Sequence, residues 1–272
     1  MSQRIAAAAL LASLLAPHSF AQQVPTKAAN SANATAAAAA SKTPLDQEDL
    51  HARILMATKR YKEAEDAYEK LSQESPRDAA YPNFAGIARM QLGDYKGAQK
   101  DFDRATKTNK KFADGYNNLG TVAFAEKNYG RALRQYQKAI SLEPQVPGYY
   151  TNVGYAYFAQ KRLPQAMTAF HKALALDPQA FEESSRNGSV MQEQSINDRG
   201  LFDFMLAKGY AQTGDAQRSA TYLRKAFDEG SKDALKVRTD PAFAGVLNDP
   251  NMKDVLDRIA PLDAKAPPAP PA

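Results

Sequence analysis

The chain has 272 residues, with 35 Lys and Arg against 30 Asp and Glu, a formal net charge of +5 and no cysteine. Lacking thiols, it can form no disulfide, thiolate nucleophile or cysteine-ligated zinc site, so its fold must rest on apolar packing. Charges of both signs are mixed along most segments, and the densest basic cluster is only Lys107, Lys110 and Lys111; nucleic-acid proteins gather such residues on one face or in runs, so no nucleic-acid partner is expected.

The first residues carry one charge at Arg4, an apolar run over 5–16, then Pro17 and the small residues Ser19 and Ala21 around Phe20. That layout predicts a secretory signal peptide over 1–21, cleaved after Ala21. The mature chain would begin at Gln22 with 34 basic and 30 acidic residues and reside in the periplasm or outside the cell. No later stretch approaches the roughly 20 apolar residues of a membrane span, so no integral membrane segment is expected after cleavage, and without a cysteine behind the apolar run a lipid anchor is excluded. Residues 22–44 are mostly Ala, Asn, Ser and Thr, with too little apolar bulk to offset the entropy of ordering, and are expected to be a disordered linker.

From residue 45 the chain repeats. Ala98, Ala132 and Ala166, then Phe102, Tyr136 and Phe170, then Gly86, Gly120 and Gly154 each recur at 34 residues. Four rows follow, 45–78, 79–112, 113–146 and 147–180, more than the roughly three that a repeat array needs for stability. In the third stand Tyr116, Leu119, Gly120, Ala132, Tyr136, Ala139 and Pro144; in the fourth Tyr150, Val153, Gly154, Tyr157, Ala166, Phe170, Ala173 and Pro178. Small residues suit the crossing of two helices, and the prolines end the second helix of each pair. The first row, with Ala52 in place of glycine, departs most, as an outer repeat does.

These residues resemble the tetratricopeptide pattern. The resemblance implies an all-α fold, a right-handed α-solenoid of antiparallel helix pairs. Residues 181–199 break the period with a polar insertion containing the turn Asn187-Gly188. A fifth, tetratricopeptide-like unit is expected at 200–233, carrying Leu206, Ala207, Tyr210, Gly214, Leu223 and Ala226. Residues 234–262 form a helical C-terminal cap, in which Asp240-Pro241 and Asp249-Pro250 each set an acidic cap before a proline. A Pro/Ala-rich tail occupies 263–272. The stretch from Phe181 to Ile259 is also similar to a C-terminal arrangement of exported bacterial tetratricopeptide proteins of unassigned role.

No constellation predicts catalysis or a cofactor. His51 and His171 lie on different rows, whereas a zinc site needs three or four ligands close together; no metal is expected. The glycines at 86, 120 and 154 sit inside helices and cradle no phosphate, no nucleophile motif is present, and Glu182 and Glu183 lie side by side on a polar insertion.

In the family resembled, the first helices of the repeats line a concave groove. Carried onto this sequence, the groove comprises Asn83, Ile87, Met90, Asn117, Thr121, Phe124, Thr151, Tyr155 and Phe158. Met90, Phe124 and Phe158, with Met56 as a lower rung, would form an apolar ladder for a peptide helix, while Asn83 and Asn117 bond its backbone. The competing reading packs these side chains between neighbouring helices. Members that grip a C-terminal carboxylate carry lysines and an arginine at positions occupied here by Asn83, Ile87, Asn117, Thr121, Thr151 and Tyr155, so that mode is not expected. The function implied is a non-catalytic protein-interaction scaffold of the cell envelope, binding a peptide or helix. The alternative is an assembly factor for a secretion, pilus or outer-membrane complex, acting through self-association.

Overall fold

The computed structural model describes residues 44–181 and 196–263. The expected signal peptide, the linker up to residue 43, most of the insertion (182–195) and the tail from 264 lie outside the described residues. Among those described there are eleven α-helices, two short 3-10 helices and no strand. The chain divides into two compact units at residue 126.

Unit 1 holds α1 (Pro44–Ala57), α2 (Tyr61–Glu74), α3 (Ala80–Gln91), α4 (Tyr95–Thr108) and α5 (Ala113–Ala125). Each helix packs on the next, and α3 also touches α5, the stacking of an α-solenoid. The core joins Leu55, Tyr68, Leu71, Phe84, Ala88, Phe102 and Val122. Gly86 earns its place by contact: a Cβ there would stand 2.6 Å from Phe102 Cε1. An ion network closes the outer side of α2, α3 and α4. Arg89 donates to Glu65 at 3.0 Å and to Asp101, and pairs with Glu69 at 3.1 Å, while Arg104 reaches Glu69 and Asp101 at 3.0 and 3.1 Å. Burial pushes the Asp101 carboxyl up to about 6 against the pull of both guanidinium groups, so it is charged at neutral pH. No described helix precedes α1, and Leu50 and Ile54 on its outer face are 43% and 51% exposed.

Unit 2 holds α6 (Tyr129–Leu142), α7 (Pro147–Ala159), α8 (Leu163–Leu176), α9 (Ile196–Gln212), α10 (Ala216–Asp228), the 3-10 turns Lys232–Lys236 and Pro241–Phe243, and α11 (Pro250–Asp263). It too is a stack of helix pairs, α7 on α8 and α9 on α10. Its core gathers Phe170, Phe181, Phe202, Leu206, Leu223, Phe243, Met252 and Ile259, so the segment after α10 covers the last pair. Asp240 accepts from the Ala242 amide at 3.0 Å and Asp249 from the Asn251 amide at 2.9 Å, each at the start of a proline-led turn. The first of these turns is 3-10 rather than α. The fifth pair begins at Ile196, not 200: Gly200 already lies inside α9, where a Cβ would meet Ser231 at 3.1 Å and the Ala226 carbonyl at 3.4 Å.

A residue of left-handed backbone recurs at the 34-residue interval. Lys59, Gly93, Lys127 and Lys161, each 34 residues from the next, all have φ near +60° to +78°. The amide that follows reaches back five residues, Arg60 to Leu55, Asp94 to Arg89 and Arg162 to Tyr157, each at 2.9 Å; this is the Schellman closure of a helix end. The next helix is then capped by Asp94 on the Gly97 amide and by Asn128 on the Arg131 amide, but Arg60 and Arg162 provide no side-chain cap.

Candidate functional site

The residues expected along the groove fall into two groups. In unit 1, Asn83 and Asn117 are buried and bonded within the fold: Asn118 Nδ2 donates to Asn83 Oδ1 at 2.8 Å, and Asn117 Nδ2 to Asn118 Oδ1 at 3.3 Å. The amides expected to hold a ligand backbone tie α3 to α5 instead. Asn118, unremarked in the sequence, is the link between them. Ile87 is buried, Thr121 returns its hydroxyl to the Asn117 carbonyl at 3.2 Å, and Met90 and Phe124 are half-buried. Met56 is buried and offers no rung.

In unit 2, Phe158 is 1% exposed. Its ring meets Phe202 of α9 edge to face at 5.7 Å, and Phe202 stacks on Tyr155 at 5.5 Å. Thr151 is buried with its hydroxyl on the Pro147 carbonyl at 3.2 Å. Phe158 and Thr151 are therefore packing residues, while half-buried Tyr155 keeps part of its surface. The reason is α9: Phe202 arrives from beyond the break in the period and fills the space that the sequence left to a ligand.

Unit 1 also contains a cleft of about 860 Å³, which the sequence reading missed. Its walls are Leu45, Asp49 and Arg53 of α1, the turn 75–79, Tyr81 and Phe84 of α3, and Asn109 and Phe112 before α5. The period could have found it. Stepping back 34 residues from Asn83 and Ile87, the two groove positions of the second row, leads to Asp49 and Arg53.

The charges of this cleft are unevenly satisfied. Asp49 Oδ2 accepts from Arg53 Nε at 2.9 Å, whereas Asp49 Oδ1 is buried without a hydrogen-bond partner. The Arg53 guanidinium lies 5.9 Å from the centre of the Phe84 ring, a cation–π distance, and that ring is backed by Tyr68 at 5.1 Å. Burial, followed by the charge of Asp49, raises the Tyr81 phenol above its ordinary value. Asp78 is spent as a cap, accepting from the Ala80 amide at 2.8 Å, and Asn109 likewise accepts from the Lys111 amide at 2.9 Å. Arg77 is exposed at the rim.

A second group of strained charges lies in unit 2. Asp203 on α9 is 8% exposed, and burial, then the charge of Glu229, pushes its carboxyl up to about 7 against Lys225 and Arg199. Arg199 stands 3.8 Å from Glu229, whose Oε2 is buried without a partner. Among the described residues no group of His, Asp and Glu is arranged to hold a metal ion, and no helix is long and apolar enough to cross a membrane.

Residues 85–149 and 127–181 match the family model described as Tetratricopeptide repeat. Among solved structures the chain is similar to pilF of Pseudomonas aeruginosa, at 15% identity over 82% of this chain and 93% of that one, with a TM-score of 0.50. It is also similar to MamA of Desulfovibrio magneticus RS-1 (20% identity, 70% and 97% covered, TM-score 0.47) and to YrrB, described as a TPR protein with an unusual peptide-binding site (20%, 70% and 89%, 0.43). At such identities the likeness concerns the fold. None of the curated proteins matches the chain.

Proposed function

The chain is a tetratricopeptide repeat protein, and on that premise we propose that it serves as a non-catalytic scaffold, holding a peptide segment of a partner on the first-helix face of its repeats. The observation that carries this reading is the cleft between α1 and α3. It is large enough for a short peptide, and its wall carries the rings of Tyr81, Phe84 and Phe112. Half-buried Met90, Thr121 and Phe124 extend the accessible first-helix surface of unit 1. The signal-peptide layout supports a place in the cell envelope.

The test is affinity capture of the full chain, tagged at its C-terminus and expressed in its own host, followed by mass spectrometry. The double variant Arg53→Ala, Tyr81→Ala is the control. A partner recovered by the wild type and lost from a folded variant is the expected result; equal recovery by both would remove the first-helix face from the function. Recovery of the protein alone would replace the reading by self-association. N-terminal sequencing of the captured chain should begin at Gln22, and an intact Met1 would end the envelope assignment.

A further inference from the structure

We propose that the solvent face of α6 binds an acidic helix of a partner protein, whose carboxylates meet Arg131, Arg134 and Lys138; this is a second surface, separate from the first-helix face above. The charge of the chain is gathered here. Residues 127–176 contain seven Lys and Arg against one acidic residue, Glu143, a net of +6 where the whole chain carries +5. One carboxylate cannot offset seven cations, whatever pairs it makes. Within that stretch α6 has three cations and no Asp or Glu. At i, i+3 and i+7 they share one side of the helix, while Ala132, Tyr136, Ala139 and Ile140 are buried. Arg134 and Lys138 are exposed and Arg131 is half-buried. The Arg134 guanidinium reaches back over Gly130, 3.9 Å from where a Cβ would stand, so the missing side chain leaves it uncovered.

The second helices of unit 1 mix their signs. On α2 Lys70 lies 3.7 Å from Glu74, and on α4 Arg104 lies 3.1 Å from Asp101. No Asp or Glu stands three or four residues from Arg131, Arg134 or Lys138, and like charges at those spacings repel each other. Carboxylates of a partner relieve that repulsion, and guanidinium groups take them in paired hydrogen bonds. The row is narrow as well. Gln135 and Gln137 flank it on α6, and α8 has Gln165 and Thr168 where the period repeats Arg131 and Arg134. A nucleic-acid site engages roughly six to ten phosphates and a lipid-binding cluster about four to eight cations. A row roughly 10 Å long, from Arg131 to Lys138 at about 1.5 Å per residue, matches instead the side of one acidic helix.

Isothermal titration of the full chain at low salt with three blocked, alanine-based helical peptides tests the assignment: one with three Glu along one side, one with the same Glu on three different sides, and one with Gln in their place. The one-sided Glu helix should bind about tenfold more tightly than either of the others, as three exposed charge pairs together provide, and the margin should shrink in molar salt. Arg134→Glu with Lys138→Glu should reverse the order, so that a one-sided Lys helix binds best; that gain also shows that the variant is folded. Lys96→Glu with Lys100→Glu, an equal change of charge at exposed positions of α4, should leave the preference as it was. Equal binding of the two Glu helices, loss of the preference in the α4 variant, its survival in the α6 variant, or no binding of the one-sided Glu helix at millimolar concentration would each overturn the proposal. So would tighter binding of duplex DNA or of phosphatidylglycerol vesicles that is lost in the α6 variant, because the row would then belong to phosphates. The capture experiment tests another face and is decided independently.

Discussion

Gly154 and Phe170 fit each other with no room for a methyl group: a Cβ at 154 would stand 2.2 Å from Phe170 Cε1, and Phe170 is itself fixed by Phe181 at 5.3 Å and Phe202 at 5.5 Å. Gly148, on the same helix, has nothing within 4 Å of such an atom. Gly154→Ala should therefore destabilise unit 2 by about 2 kcal/mol through overpacking, while Gly148→Ala should change stability by about 0.5 kcal/mol or less, in the stabilising direction. Urea unfolding of both variants checks the pair, and equal effects would show that helix propensity rather than the ring sets the residue. The 34-residue period made Gly154, like Gly86, legible as a close approach. It could not tell a groove residue from a packing residue, as Phe158 and Asn83 show. Both lie at the expected register, yet each is covered by a side chain, Phe202 or Asn118, that is not among the residues by which the pattern is recognised.

At the scale of the element, the turn within each pair keeps its geometry although its sequence varies. A left-handed residue costs a non-glycine side chain roughly 1 kcal/mol, and Lys59, Lys127 and Lys161 all bear it where the second pair has Gly93. The Schellman bonds at Lys59, Gly93 and Lys161 hold the conformation regardless of the residue. Lys161→Gly should stabilise unit 2 by about 0.5–1 kcal/mol, since the strain relieved exceeds the backbone freedom that glycine adds in the unfolded chain. Differential scanning calorimetry should then show a higher unfolding temperature, and a lower one would mean that the turn is not strained. The helices themselves were legible: rows beginning at 79, 113 and 147 match helices beginning at Ala80, Ala113 and Pro147. The left-handed turns were not, because lysine carries no mark of positive φ. The start of α9 at Ile196 was missed for a similar reason, since the polar insertion erased the period that located every other helix.

For the whole molecule, the stability of unit 2 should depend on pH in a direction opposite to that of a protein held by carboxylate ion pairs. Asp203 titrates near 7 when folded and near 4 when unfolded, so between those values the native state keeps a proton that the unfolded chain has lost. Stability contributed by this group is full below about pH 4 and falls as pH rises through 7. Glu229, raised chiefly by its own burial, acts in the same direction, while Arg199 and Lys225 oppose it. At pH 8 Asp203→Asn should stabilise by on the order of 2 kcal/mol, and near pH 4 the gain should largely vanish. Chemical unfolding at the two pH values decides it, and a variant less stable at pH 8 would place a favourable partner on the carboxylate instead. Nothing in the sequence announced this group, because its burial depends on α9 and the end of α10 meeting in space.

The outer face of α1 differs from its counterparts in one respect. Leu50 and Ile54 stand 34 residues before Phe84, which rests on Tyr68 of α2, and Ala88, which is fully buried; the surface that an earlier pair would cover is present, shaped and empty of one among the described residues. Such an edge makes the number of repeats adjustable in whole steps. A helix pair of the same length, fused ahead of Pro44 by duplication or by a protein engineer, would find a seat already cut for it, and the array could lengthen without a single change to α1.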